Sequence, residues 1–212
     1  MRKVVTRFAP SPTGYLHIGG VRTALFNYIF AKKHAGEFLL RVEDTDQERS
    51  KGEYTDAIIE GLRWLGLTYD GNPTHQSERS VLYQNETARL LANGKAYRCS
   101  CSPERLDALR KEQESKGLKP MYDGLCRDKG ITDEDTVVRL KTPTEGSTIV
   151  DDAVYGKIEF INKELDDLII QRSNGTPTYH LCNVVDDNAQ GVTHIIRGED
   201  HLPNTPRQIQ II

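Results

Sequence analysis

The sequence predicts an α/β fold interrupted by a smaller inserted unit, and three observations lead there. Apolar strand-like runs alternate with helix-period patterns over the first eighty residues, which favours a parallel sheet. Between residues 136 and 172 the pattern changes to short β-rich runs separated by turn residues. The opening pattern of strand then acidic loop returns in "GVTHIIRGED". A chain of 212 residues can bury one sizeable core with an insertion. The expected boundaries are residues 1–80 with 190–212 for the main domain and 81–189 for the insertion.

Taken in order, residues 4–9 read as a short buried strand. From Val21 the residues Leu25, Tyr28, Ile29 and Phe30 recur at helical spacing until Gly36. "EFLLRVEDTD" supplies a second strand running into an acidic loop. A helix follows, with Ser50 and Glu53 spaced as a capping box and Tyr54, Ala57, Ile58, Gly61, Leu62 and Leu65 along one face. A third helix is expected from Ser80 to Gly94. A fourth has Ser102 as N-cap, Pro103 at its first position and Gly117 beyond its end. "TVVRL", "STIV", "KIEFI" and "DLIIQR" read as strands, and "RSNGTP" as a tight turn.

Composition excludes several classes. Hydrophobic residues make up 37% and charged residues 28%, ordinary values for a globular protein. No apolar run approaches the roughly 18 residues of a membrane helix. Met1, Arg2 and Lys3 are not followed by the apolar core of an export signal, so a cytoplasmic protein is expected. The net charge of −3 gives no global attraction to nucleic acid, so any such binding must be local. Residues 95–129 hold nine Lys or Arg against six Asp or Glu, which suits a phosphate contact and a solvated helix face about equally.

The stretch "RFAPSPTGYLHIGG" poses the chemical question. Pro10 and Pro12 stiffen the loop, while Gly14, Gly19 and Gly20 open its floor. A helix begun at Gly19 and Gly20 offers free N–H groups and a positive dipole end to a nucleotide phosphate. His17 beside it either caps the helix or donates a hydrogen bond to charge developing on a phosphoryl oxygen.

This stretch resembles the first signature of class I aminoacyl-tRNA synthetases, in the glutamyl form. "RVEDTDQERS", "GTPTYHLCNVVDD" and "VTHIIRGEDHLPNTPRQ" resemble the same family, in its order. The resemblance implies a Rossmann-like catalytic domain split by an α+β acceptor-binding insertion. It also implies L-glutamate, ATP with Mg2+ and the acceptor end of tRNA(Glu) as ligands, and a monomer with no membrane association.

Arginine suits a carboxylate because its planar fork can bond bidentately. Arg7 and Arg197 leave predicted strands at the expected carboxyl edge of the sheet. By resemblance they hold the substrate side-chain carboxylate, and Glu43 takes the α-ammonium. Ala9, Ser11, Tyr179 and Asn183 complete that pocket, the last two sharing a face if their stretch is helical. His17, Gly19 and Gly20 carry the catalytic signature and with Ser11 and Glu199 form the ATP site. Thr45, Asp46 and Arg49 meet the terminal adenosine. Asp44, Asp46 and Glu48 could equally serve the following helix N-terminus, and Glu199 could be an acid cap.

Cys99, Cys101 and Cys126 are grouped as for tetrahedral zinc, or are free reduced thiols. The grouping resembles the zinc site in the insertion of bacterial relatives, with Tyr122 as fourth ligand in one variant and Asp128 at the alternative position. Cys182 reads as a packed thiol. No lysine-rich second signature precedes Ile212, so an amino-terminal piece is expected. A binding module without activity and a shortened paralogue acting on a modified tRNA base remain as alternatives.

Overall fold

The computed structural model describes residues 2–46 and 48–212. Gln47, within the acidic-loop motif, lies outside them. The chain forms two compact units, Met1–Ser80 with Val185–Leu202, and Val81–Val184 with Pro203–Ile212. No helix is long and apolar enough to cross a membrane.

In the first unit β1 (Val5–Phe8), β2 (Glu37–Val42) and β3 (Thr74–His75) form a parallel sheet in that order. Val5 pairs with Glu37 and Arg41 with Thr74. Helix α1 (Ile18–Lys33) connects the first two strands and α2 (Gly52–Trp64) lies between the second and third. Gly36 is needed at the entry to β2, because a Cβ there would run into the Val4 carbonyl.

The large residues expected to line the inner face of α1 are not its buried stripe. Ala24, Asn27 and Ala31 are buried, whereas Leu25 is 41% and Ile29 51% exposed. Small side chains allow α1 to approach the sheet closely, and the buried Asn27 donates from Nδ2 to the Thr23 and Ile196 carbonyls, while its Oδ1 has no hydrogen-bond partner. Phe8, Phe38, Leu40, Ile58 and Leu62 fill the core above.

Two further expectations are corrected. Lys51, not Ser50, is the N-cap of α2, and it makes no side-chain cap bond. Ser50 N–H is used in a turn with the Asp46 carbonyl, Lys51 N–H bonds the Pro12 carbonyl, and the helix starts later as a result. Residues 192–198 form no regular strand. The Thr193 hydroxyl accepts from Val5 N–H, taking a place that a backbone carbonyl would fill in a continuing ladder. The Thr193 N–H still donates to the Val5 carbonyl at 2.9 Å.

In the second unit, α3 (Ser80–Ala92) leads to β4 (Ala96–Cys99) and α4 (Pro103–Ser115). Ser102 caps α4 by accepting from Arg105 N–H, and Gly117 takes positive φ just past its end. Strands β5 (Val137–Leu140) and β8 (Ile169–Gln171) join β4 in an antiparallel sheet of order β4-β5-β8. Strands β6 (Ser147–Asp152) and β7 (Gly156–Ile161) pair as a separate hairpin. Helix α5 (Tyr179–Ala189) begins in this unit and runs into the first from Val185, and α6 (Thr205–Ile209) is the last element.

Candidate functional site

The loop after β1 is tied down by its carbonyls, as two prolines require. Pro10 C=O accepts from Glu43 N–H at 2.9 Å and Pro12 C=O from Lys51 N–H at 3.2 Å. Ser11 Oγ donates to the Glu43 carbonyl at 3.1 Å. The loop therefore runs against the end of β2 and delivers His17 to the start of α1.

His17 is the N-cap of α1, its Nδ1 accepting from Gly19 N–H at 3.2 Å. A Cβ on Gly19 would stand 3.0 Å from the ring, so glycine lets the imidazole lie over the helix end. With Nδ1 committed as acceptor, the neutral ring carries its proton on Nε2. Capping and donation, set as alternatives by the sequence, thus use different ring nitrogens.

Arg7 is buried and donates from Nε and Nη2 to Asp187 at 2.9 and 3.3 Å. Arg41, fully buried, donates to Asp187 at 2.6 Å and to Glu43 at 3.3 Å. Asp186 accepts from Gln76 at 2.8 Å and Arg79 at 2.7 Å. Burial pushes the Glu43 carboxyl above the ordinary range despite Arg41 and Arg7. Asp187 also feels burial, but Arg7 and Arg41 together hold it below that range.

Arg41, Asp186 and Asp187 were missed by sequence reasoning. Arg41 interrupts the apolar run "FLLRV", and the two acids end "LCNVVDD", so a charge at a core position of each element was the available signal.

Arg197 and Glu199 belong to the same unit as Arg7, Ala9, Ser11, His17, Gly19, Gly20 and Glu43. Glu199 is exposed in the first turn of a short 3-10 helix, Glu199–Asn204. Tyr179 and Asn183 are both on helical backbone four apart, Asn183 buried, and belong to the second unit.

In the acidic loop, Asp44 does not serve the α2 N-terminus. It accepts from Ser77 N–H and Ser77 Oγ, each at 2.8 Å, and stands 3.2 Å from His75 Nδ1. Asp46 accepts from Arg49 at 2.6 Å, a bond that lowers its pKa. Thr45 lies between them and is partly buried. A cavity of about 500 Å³ adjoins this loop, lined by Pro12, Asp44, Ser50, Lys51, Thr55 and His75 among others.

The second unit brings the three predicted cysteines together, their Sγ atoms all within 4.8 Å of one another. Tyr122 Oη lies 3.3 Å from Cys99 Sγ and 3.6 Å from Cys101 Sγ, and accepts from Cys126 N–H at 2.9 Å. Burial raises the Cys126 thiol, but bonds from Tyr122, the Ser100 backbone and the neighbouring thiols bring it down to about 7. Three sulfurs and one oxygen fit tetrahedral zinc. Asp128 is no fourth ligand here. It is 81% exposed, pairs with Lys141 at 2.9 Å, and is not part of the cluster. Cys182 is fully buried in α5.

Protein purified without chelator should contain about one zinc per chain, and Cys101→Ser should lose it. Elemental analysis showing well-folded protein with no zinc would remove the metal from the account.

Comparison with known proteins bears on the whole chain. The family model for the catalytic domain of tRNA synthetases class I (E and Q) matches residues 3–212. The chain is 57% identical over 210 residues to a protein named Glutamate--tRNA ligase from Oleidesulfovibrio alaskensis, covering 99% of this chain and 45% of that protein. It is 55% identical over 214 residues to Glutamate--tRNA ligase 1 of Alkalilimnicola ehrlichii, covering 100% and 45% respectively. A crystal structure of a glutamate tRNA ligase from Elizabethkingia meningosepticum, in complex with its amino acid, superimposes with a TM-score of 0.90 at 37% identity. That match covers 98% of this chain and 46% of the other. The chain thus spans less than half the length of the curated relatives it matches.

Proposed function

This chain belongs to the catalytic domains of class I tRNA synthetases of the E and Q type, and from that membership we propose that it supplies the amino-acid and ATP site of a glutamate–tRNA ligase. An oxygen of the glutamate α-carboxylate attacks the α-phosphate of Mg2+-bound ATP, and pyrophosphate leaves as glutamyl-adenylate forms. A ribose hydroxyl of the terminal adenosine of tRNA(Glu) then attacks the acyl carbon, and AMP leaves.

The observation that carries this reading is the bonding of the β1 loop to Glu43, which holds the His17-capped helix against the end of β2. Arg7 and Arg197 bind the side-chain carboxylate, with Asp187 fixing the orientation of Arg7. Glu43 receives the α-ammonium, which joins Arg41 as a counter-charge to this buried acid. Ala9 and Ser11 complete the pocket on this unit. His17 Nε2–H and the N–H groups at Gly19 and Gly20 meet the phosphates, and Glu199 meets the ATP ribose. Thr45, Asp46 and Arg49 contact the acceptor end. The unit of residues 1–80 and 185–202, five residues earlier at its second start and ten residues shorter at its end than the sequence suggested, serves catalysis, while the other unit binds the acceptor stem around a structural zinc held by Cys99, Cys101, Cys126 and Tyr122. The protein acts in the cytoplasm as a monomer.

Glutamate-dependent, tRNA-supported pyrophosphate exchange tests the reading in a protein of the relatives' full length that carries this chain. There, Arg197→Ala should cost about 2–5 kcal/mol in glutamate recognition and narrow the preference over glutamine. Unchanged kinetics with both amino acids would put Arg197 outside the pocket.

A further inference from the structure

Arg139, on β5, is 5% exposed. Its Nη1 donates to the Asp167 carbonyl at 2.7 Å, while its Nε has no hydrogen-bond partner. Among the described residues it forms no ion pair. The nearby Asp167 carboxylate is bonded instead to Tyr97, to Arg127 and to Thr142 N–H. The guanidinium stacks on Tyr122, its central carbon 3.8 Å from the ring centroid. Arg105 also approaches the cluster, 3.6 Å from Cys101 Sγ, but it has Asp123 as a counter-charge and a partly exposed side chain.

A buried guanidinium with no acidic partner is costly, and it persists where a negative group compensates it. The thiol cluster gathers at the hydroxyl of the Tyr122 ring, with Oη 3.3 Å from Cys99 Sγ and 3.6 Å from Cys101 Sγ. A thiol that coordinates zinc is deprotonated outright, so three thiolates on one divalent ion carry excess negative charge. The guanidinium stacked on Tyr122 supplies the opposite charge and holds the ring whose Oη meets Cys99 and Cys101.

We infer that Arg139 is a positioning residue of the metal centre, which fixes Tyr122 and balances the charge of the cysteine ligands. The inference rests on the reading that Cys99, Cys101, Cys126 and Tyr122 hold zinc.

The test measures zinc affinity of the 212-residue chain at one pH, by competition with a chromophoric chelator, for the parent, Arg139→Met, Arg139→Lys, Tyr122→Phe and the Arg139→Met/Tyr122→Phe pair. Outer partners of metal ligands are typically worth 10- to 100-fold, so Arg139→Met should weaken zinc binding by about that factor, with Arg139→Lys recovering part of it. In the Tyr122→Phe background the same change should cost at least about threefold less, because one of its two roles is gone. Melting supplies a second readout. Without zinc, Arg139→Met should be at least as stable as the parent, since it removes an uncompensated buried charge. At saturating zinc it should be less stable.

Equal destabilisation with and without zinc would reduce Arg139 to a packing role and overturn the inference. So would parent-like zinc affinity in Arg139→Met. If the parent itself binds no zinc, the metal reading falls and the inference with it, whereas a zinc-binding parent with an indifferent Arg139 variant removes the inference alone.

Discussion

Arg41→Met is expected to destabilise the first unit by about 3–5 kcal/mol, the usual cost of removing one partner from a buried ionic cluster. Arg41 is fully buried and holds Asp187 and Glu43 by hydrogen bonds, with Asp186 3.9 Å from its Nε. Without it three carboxylates share the remaining cations, Arg7 and the partly exposed Arg79. Urea unfolding at neutral pH measures the loss, and a change below about 1 kcal/mol, the level of a surface pair, would mean that the cluster is not a structural unit.

The same cluster sets an acid dependence. Asp187 is held below the ordinary carboxylate range, so its contribution is present above the unfolded value and is lost as pH falls through the lowered one. Glu43 is raised by burial and works the other way, stabilising below the unfolded value and losing that contribution as pH rises through the raised one. Asp187→Asn should therefore start less stable at neutral pH, and its stability should fall less than the parent's below about pH 4.

The second large effect concerns His17. Losing one donor that acts only as charge develops typically lowers the rate by about 10²- to 10³-fold, and His17→Asn should do so in a full-length protein carrying this chain. Asparagine is a good N-cap, so the α1 end should survive and stability should change by less than about 0.5 kcal/mol. His17→Ala should lose both. Pyrophosphate exchange beside thermal unfolding separates the roles, and equal exchange by His17→Asn and the parent would leave His17 as a cap alone.

Much of this arrangement was legible in the sequence because its signals are local. Proline and glycine between "VVTRFA" and a helix-period run dictate a rigid turn into a helix end, and Ser102 with Pro103 writes its helix start directly. The cysteines could be grouped by spacing alone. What was not legible depends on tertiary partners. The buried stripe of α1 is Ala24, Asn27 and Ala31 because the sheet lies close, and hydrophobic periodicity weights the larger Leu25 and Ile29 instead. Ser50 and Glu53 have capping-box spacing, yet the Pro12 carbonyl takes Lys51 N–H and moves the cap. Arg7 and Glu43 stood out in the sequence as candidates, but the Arg41–Asp187 pairing that links them joins positions 146 residues apart.

The central claim is that this chain carries a pocket selective for glutamate joined to an adenylate, and calorimetry with non-hydrolysable adenylate analogues tests it most directly. The 212-residue chain is titrated with the glutamyl and the glutaminyl analogue under one set of conditions. The account predicts weak but measurable binding of the glutamyl analogue and tighter binding of it than of the glutaminyl one, with the difference lost in Arg197→Ala. Equal affinity for both analogues, or no heat of binding from either with the chain folded, would contradict it.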